Sequence, residues 1–287
     1  MNKSLSILLI FGIFAILSIS GCTQQQPAVN QTPGKQTPVE QPAIEQPVIK
    51  LSSENYIVDN SGKTLYMFAN DIMGDSKCTG SCINIWPVFY QEKIAVSSGL
   101  NSSDFGAITR DDGMEQTTYK GWPLYYFSSD INPGDIKGEG FNKLWFIAKP
   151  DYTILITDKD NMKYIVDAKG NTLYNFSKDM PDVSNCKGNC LQTWPVFYAE
   201  NIVAPSIMNI SDFDVITNSE GSKQTTYKHM PLYYYINDTK RGDTNGQGVI
   251  NAWFVVDPEA KPLTIPVSTT IKPTPAATQI TYGGGGY

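Results

Sequence analysis

The chain predicts an all-β protein made of tandem 108-residue repeats that give four small antiparallel sheets, and three observations predict it. The first is a long repeat with no gap. Tyr56-Ile57-Val58-Asp59 recurs as Tyr164-Ile165-Val166-Asp167, and Trp86-Pro87-Val88-Phe89-Tyr90 as Trp194-Pro195-Val196-Phe197-Tyr198. Thr117-Thr118-Tyr119-Lys120 recurs as Thr225-Thr226-Tyr227-Lys228, and Trp145-Phe146 as Trp253-Phe254. Self-similarity at a fixed period has to be read before any other fold signal. The second is a shorter echo, Leu-Tyr-x-aromatic-x-x-Asp. It runs from Tyr66 to Asp71, Tyr125 to Asp130, Tyr174 to Asp179 and Tyr233 to Asp238, with spacings of 59, 49 and 59 residues. The third is residue type. Tyr, Phe, Val, Ile, Thr and Trp cluster in short runs between turn signals, as strands do.

The elements follow in chain order. Residues 1–21 read as a secretory leader. Lys3 is the only charge before an apolar run at 7–17, which is short of the roughly 20 residues a helical span needs. The segment closes on Ile19-Ser20-Gly21-Cys22, which resembles a lipobox with Ile where Leu is usual, and makes Cys22 the candidate lipidated residue. Acyl chains anchor at about 0.8 kcal/mol per buried CH₂, so two chains hold where one does not. Residues 22–50 form a Gln/Pro/Thr linker that buries no core and favours extended conformers. Residues 51–150 and 151–260 are the two long β repeats, and residues 261–287 form a Thr/Pro/Gly-rich tail.

Within the repeats, turns are expected at Asp59-Asn60-Ser61-Gly62, Asp111-Asp112-Gly113 and their counterparts Asp167-Ala168-Lys169-Gly170 and Ser219-Glu220-Gly221. One set of strand candidates is 194–198, 213–217, 224–228 and 232–235. A second is 144–148, 153–157, 162–166 and 172–176. On this reading 253–256 completes the sheet that begins near Tyr56. That closure describes a four-bladed propeller-like ring. The alternative is two separate β-domains.

Four cysteines remain after Cys22, as Cys78-Thr79-Gly80-Ser81-Cys82 and Cys186-Lys187-Gly188-Asn189-Cys190. Outside the cytoplasm such thiols oxidise. The local pairings Cys78 with Cys82 and Cys186 with Cys190 give each repeat its own bridge. A four-thiolate zinc site and a redox-active pair stay open, although nothing near in sequence supplies a His or basic cluster to activate a thiolate.

The formal charge is −6, or −7 once Lys3 leaves with the leader. With no Lys/Arg patch to neutralise phosphates, nucleic acid is excluded as a partner. The expected partners are the membrane, through the lipid anchor, and envelope proteins or polysaccharide. N-glycosylation acceptor sequences begin at Asn30, Asn101, Asn175, Asn209 and Asn237.

The motif residues Asp71, Asp130, Asp179 and Asp238 suit strand-end turns, where a carboxylate accepts backbone N–H bonds. Tyr66, Tyr125, Tyr174 and Tyr233 then pack with rings inside and hydroxyls satisfied. A second reading is calcium, since Asp130 and Asp135, and Asp238 and Asp243, lie in Gly-containing loops, with Glu139 as a third carboxylate in the first repeat. Trp122 stands apart because its repeat partner is Met230. His229, the single His, faces Gly121 one period earlier and has no partner in sequence. No Gly-x-Ser-x-Gly elbow, phosphate loop or His-rich metal motif occurs.

Lipobox, Cys-x-Gly-x-Cys, Trp-Pro and the repeated Tyr-x-[Phe/Tyr]-x-x-Asp together resemble the prokaryotic lipoproteins called "secreted repeat of unknown function", over about residues 54–257. The resemblance implies location and repeat architecture, and it supplies no activity and no catalytic residue. Two classes of function follow: a non-catalytic binding or structural module of the cell envelope, and an extracytoplasmic redox protein or enzyme whose site forms only in space.

Overall fold

The computed structural model describes residues 48–261. The leader, Cys22, Asn30, the linker up to residue 47 and the tail from residue 262 lie outside the described residues. The first long repeat runs β1 (Ile49–Leu51), β2 (Ile57–Asp59), β3 (Tyr66–Phe68), α1 (Cys82–Ile85), β4 (Phe105–Thr109), β5 (Glu115–Tyr119), β6 (Trp122–Tyr125) and β7 (Trp145–Ile147). The second runs β8 (Ile154–Lys159), β9 (Met162–Asp167), β10 (Tyr174–Phe176), α2 (Asn189–Thr193), β11 (Phe213–Thr217), β12 (Lys223–Tyr227), β13 (Met230–Pro231) and β14 (Trp253–Val255). The strands form several small antiparallel sheets, as the residue types predict.

Turn chemistry sets the hairpins. Lys120-Gly121 joins β5 to β6 and Asp160-Asn161 joins β8 to β9, all four residues at positive φ. Such primed turns match the twist of the strands they join. Asp59 caps its own turn by accepting the N–H groups of Ser61 and Lys63, and Asp167 does the same for Lys169 and Asn171.

The pairing between halves of a repeat was not expected. β3 lies antiparallel to β6, with Tyr66 opposite Tyr125. β7, the Trp strand of the second half, pairs with β3 of the first, placing Trp145 opposite Phe68. The Trp segment of the first half returns the exchange: Val88 bridges Tyr125, and Phe89 N–H donates to Leu124 O at 3.0 Å. Each half therefore completes its sheet with a segment from the other half.

The same exchange governs the second repeat. β14 pairs with β10, and Val196 and Tyr174 both bridge Tyr233. The expected closure is thereby corrected. Residues 253–256 do not join the sheet near Tyr56; the residue after β7 does, through Ile57 N–H to Ala148 O at 2.8 Å. Likewise 144–148 pairs with β3 and not with 172–176. A Trp strand sits beside the motif strand of its own long repeat, where its ring has partners.

Those partners form a four-ring stack. Phe68, Trp145, Trp86 and Phe127 lie face to face in succession, with centroids 4.3, 3.8 and 4.4 Å apart. Phe176, Trp253, Trp194 and Tyr235 repeat it at 4.3, 3.8 and 4.2 Å. Tyr66 and Tyr125 close the first stack edge-on. The aromatic position of the motif is thus the outer ring of a stack, and such pairs add about 0.5–1.5 kcal/mol each beyond burial.

The repeats are not separate domains. One buried cluster takes Leu65, Met67 and Ile72 from the first repeat and Leu155, Tyr164 and Val166 from the second. Arg241 locks the junction. Its guanidinium donates to the carbonyls of Ile72, Lys120 and Lys169 and lies over the ring of Trp122, 4.8 Å from its centroid. Trp122, which repeat symmetry does not require, is buried here to support that contact. Gly121 stands where His229 stands one period later because a Cβ there would sit 3.0 Å from the Arg241 guanidinium. The equivalent face of the second repeat carries Met180 and His229, both exposed.

Two stability predictions follow from these contacts. A Cβ on Gly138 would come within 2.7 Å of the Trp86 ring and 2.9 Å of Tyr66. Gly138→Ala should therefore cost about 1–3 kcal/mol in denaturant unfolding. Arg241→Ala leaves three carbonyls without this donor and should cost about 2 kcal/mol or more. An unchanged midpoint in either variant would contradict the packing described.

Candidate functional site

The motif residues meet in reciprocal pairs. The Tyr66 hydroxyl donates to Asp130 at 2.6 Å and the Tyr125 hydroxyl to Asp71 at 2.6 Å. Tyr174 donates to Asp238 at 2.6 Å and Tyr233 to Asp179 at 2.8 Å. Each Tyr thus uses the Asp of the opposite half, 64 or 54 residues away. The second oxygen of each Asp fixes its own following loop. The N–H groups of Lys77, Lys137, Asn185 and Asn245 donate to Asp71, Asp130, Asp179 and Asp238 at 2.7–3.0 Å. The sequence showed that these residue types recur together but not that their partners are exchanged.

Burial dominates the electrostatics. It pushes the Asp71 carboxyl up to about 7, against hydrogen bonds from Tyr125 and Lys77 N–H and the nearby Arg110 charge. Burial likewise pushes Asp179 up to about 6 and raises Asp130 and Asp238. The four tyrosines are raised by burial and by their carboxylate partners.

Each cysteine pair forms its local disulfide, Cys78 with Cys82 and Cys186 with Cys190, with Cα atoms 5.3 Å apart in both. A shared four-thiolate zinc site is therefore not formed. Sequence distance hid one basic neighbour: Arg110 donates to the Cys78 carbonyl at 2.9 Å.

In the two candidate calcium loops, one oxygen of each loop aspartate is engaged within the protein. Asp135 accepts the N–H groups of Ile131 and Asn132 and the Lys137 ammonium. Asp243 accepts those of Thr239 and Lys240, and Glu139 accepts Ile147 N–H. Among the described residues, no group of three or more His, Cys, Asp or Glu is placed to hold a metal ion.

The remaining candidates lie near the surface. His229, without a partner in sequence, meets Asp182 at 2.9 Å, and both are exposed. Asn101 and Asn209 are exposed at matching positions, and each caps a short turn through the N–H of Ser103 or Ser211. That cap accounts for their recurrence. Asn237 is exposed and Asn175 is half-buried on β10.

Two surface features were not singled out from sequence. Tyr90 and Tyr198, one period apart, are 44 % and 39 % exposed although the flanking Trp-Pro-Val-Phe segments are packed into the sheets. A cavity of about 230 Å³ is lined by Ile156, Lys163, Met208 and Tyr227 of the second repeat and by Lys143 of the first, with Lys143 and Lys163 both paired with Glu259.

These observations define a class: a duplicated all-β repeat protein, stapled by one short disulfide loop per long repeat, with its polar motif turned inward. The profile of the family described as "secreted repeat of unknown function" matches residues 55–90, 106–149, 156–198 and 214–257, more than half of the chain. The chain belongs to that family. The four matched segments are the four halves that exchange Trp strands. No curated protein and no solved structure matches the chain. Among the described residues, no helix is long and apolar enough to cross a membrane.

The raised carboxyls predict a pH dependence. A group whose folded pKa exceeds its unfolded value stabilises fully below the unfolded value and loses that contribution as pH rises through the folded one. For Asp179 and Asp71 the loss falls as pH rises through about 6 and about 7. Thermal melting from pH 4 to 8 should show the double variant Asp71→Asn/Asp179→Asn losing less stability with rising pH than the parent. Parallel curves would refute the assignment.

Proposed function

We propose that the protein is a non-catalytic surface module of the cell envelope, held outside the membrane by lipid on Cys22, which binds an extended polymer such as polysaccharide through Tyr90 and Tyr198. The observation that carries this reading is the contrast between the two sets of tyrosines. The motif tyrosines are buried and spent on aspartates, whereas Tyr90 and Tyr198 remain at the surface in both repeats. An exposed phenol ring offers a flat apolar face with a polar edge, which suits stacking on sugar rings. Two matching rings on one rigid unit would let weak contacts act together on a polymer. Disulfide formation and a family described as secreted support an extracytoplasmic location.

Retention on immobilised envelope polysaccharide tests the reading. Tyr90→Ala and Tyr198→Ala should each weaken retention, and the double variant should weaken it by about ten-fold or more, with unchanged melting. Retention equal to the parent's would remove polymer binding through these rings. Mass spectrometry of the mature chain should find acyl groups on Cys22, and an unmodified Cys22 would remove the anchor.

A redox role draws on one observation, the Arg110 guanidinium beside the Cys78 carbonyl. A free-thiol count on the native protein separates the two. Cys78 and Cys186 are buried in their disulfides, so no free thiol is expected at these four positions before or after a mild dithiol; ready reduction of Cys78 with Cys82 would favour the redox role.

A further inference from the structure

The two long repeats differ at one buried polar position. In the first repeat, Arg110 follows β4, with its side chain 1 % exposed. Its guanidinium donates to Gln116 Oε1 at 2.8 Å, to Cys78 O at 2.9 Å and to Ser76 Oγ, and it pairs with Asp112. One period later the acceptors recur as Gln224, Cys186 and Ser184, but Arg110 is replaced by Asn218.

The surrounding backbone is the same. Asn218 N–H donates to Ser222 O at 2.9 Å, as Arg110 N–H does to Met114 O. β11 and β12 keep the five-pair register of β4 and β5. Gln224 is fully buried, and its Nε2 donates to Leu232 O at 3.0 Å as Gln116 Nε2 donates to Leu124 O at 2.8 Å. The other end of Gln224 differs: Oε1, which takes the guanidinium in the first repeat, is buried with no protein partner. Asn218 is buried as well. Its Oδ1 caps the turn by accepting the N–H groups of Glu220 and Ser222, while its Nδ2 has no protein partner.

We propose that the second repeat binds an internal water molecule between Asn218 and Gln224, where the first repeat places the Arg110 guanidinium. Asn is three non-hydrogen atoms shorter than Arg, and the conserved turn does not close the difference. The two unpaired groups are of opposite kind: Gln224 Oε1 needs a donor and Asn218 Nδ2 needs an acceptor. Water supplies both. Ammonium, guanidinium or a metal ion would serve Gln224 and oppose the Asn218 N–H. A buried water requires two to four polar partners, and Gln224 Oε1 and Asn218 Nδ2 supply two; Ser184 Oγ, counterpart of one Arg110 acceptor, is already bonded to Tyr233 and Cys186. Glu220 already links the β11–β12 turn to the Cys186–Cys190 loop by accepting Gly188 N–H at 2.7 Å, in place of the tie that Arg110 makes to Cys78 O in the first repeat.

A high-resolution crystal structure of the oxidised protein tests this. Density for one water within hydrogen-bond distance of both Asn218 Nδ2 and Gln224 Oε1 is expected. A direct Asn218–Gln224 bond, or no density between them, would overturn the proposal. Asn218→Arg should expel the water and raise the melting temperature by about 2–4 °C, and a folded variant melting no higher than the parent would count against the proposal. Should that variant not fold, titration of the parent protein with ammonium or guanidinium chloride against sodium chloride at equal low ionic strength still decides the matter. Equal melting in all three salts supports water, and saturable stabilisation by either nitrogen cation replaces water with a cation site.

Discussion

The reciprocal tyrosine–aspartate pair is the constraint on which the rest of the structure depends. A buried phenol needs an acceptor, and a buried carboxylate needs donors. Each half of a long repeat could supply both groups to itself, yet the halves exchange them. Tyr66 and Tyr125 face each other across β3 and β6, so each hydroxyl reaches the aspartate of the other half. Tyrosine, aspartate and Trp strand all cross together, which makes one half incomplete without the other. The stack of Phe68, Trp145, Trp86 and Phe127 alternates rings from the two halves for the same reason.

The polar groups of the repeated motif are turned inward. The motif aspartates divide their oxygens between a tyrosine and a backbone N–H, and the loop carboxylates of Asp135, Asp243 and Glu139 are likewise bonded within the fold. The tyrosines divide between the buried motif rings and the exposed Tyr90 and Tyr198. The proposed role as an envelope binding module follows from that division of labour between buried and exposed tyrosines.

Departures from repeat symmetry mark where the copies have different neighbours. Trp122, Gly121 and Arg241 differ from Met230, His229 and Pro133 because only the first repeat receives the second on that face. Arg110 and Asn218 differ within otherwise equal turns, and there the change falls on the hydrogen bonding of a buried glutamine. Equal positions report what the fold demands, and unequal ones report local contacts.

The sequence by itself determined the repeat period, the strand character, the turns and the recurrence of Tyr with Asp, whereas the cysteine pairing was settled only in the structure. These features are local, and strand propensity and turn chemistry act over short stretches of chain. The tertiary structure alone decided which strand lies beside which, that β7 and β14 return to their own long repeats, and that each tyrosine bonds the opposite half. It also decided that Trp122 is buried under Arg241 and that His229 has Asp182 as a neighbour. The physical reason is that near-identical halves offer near-identical partners. A period in sequence cannot tell pairing within a half from exchange between halves; only packing the Trp rings into a common stack does.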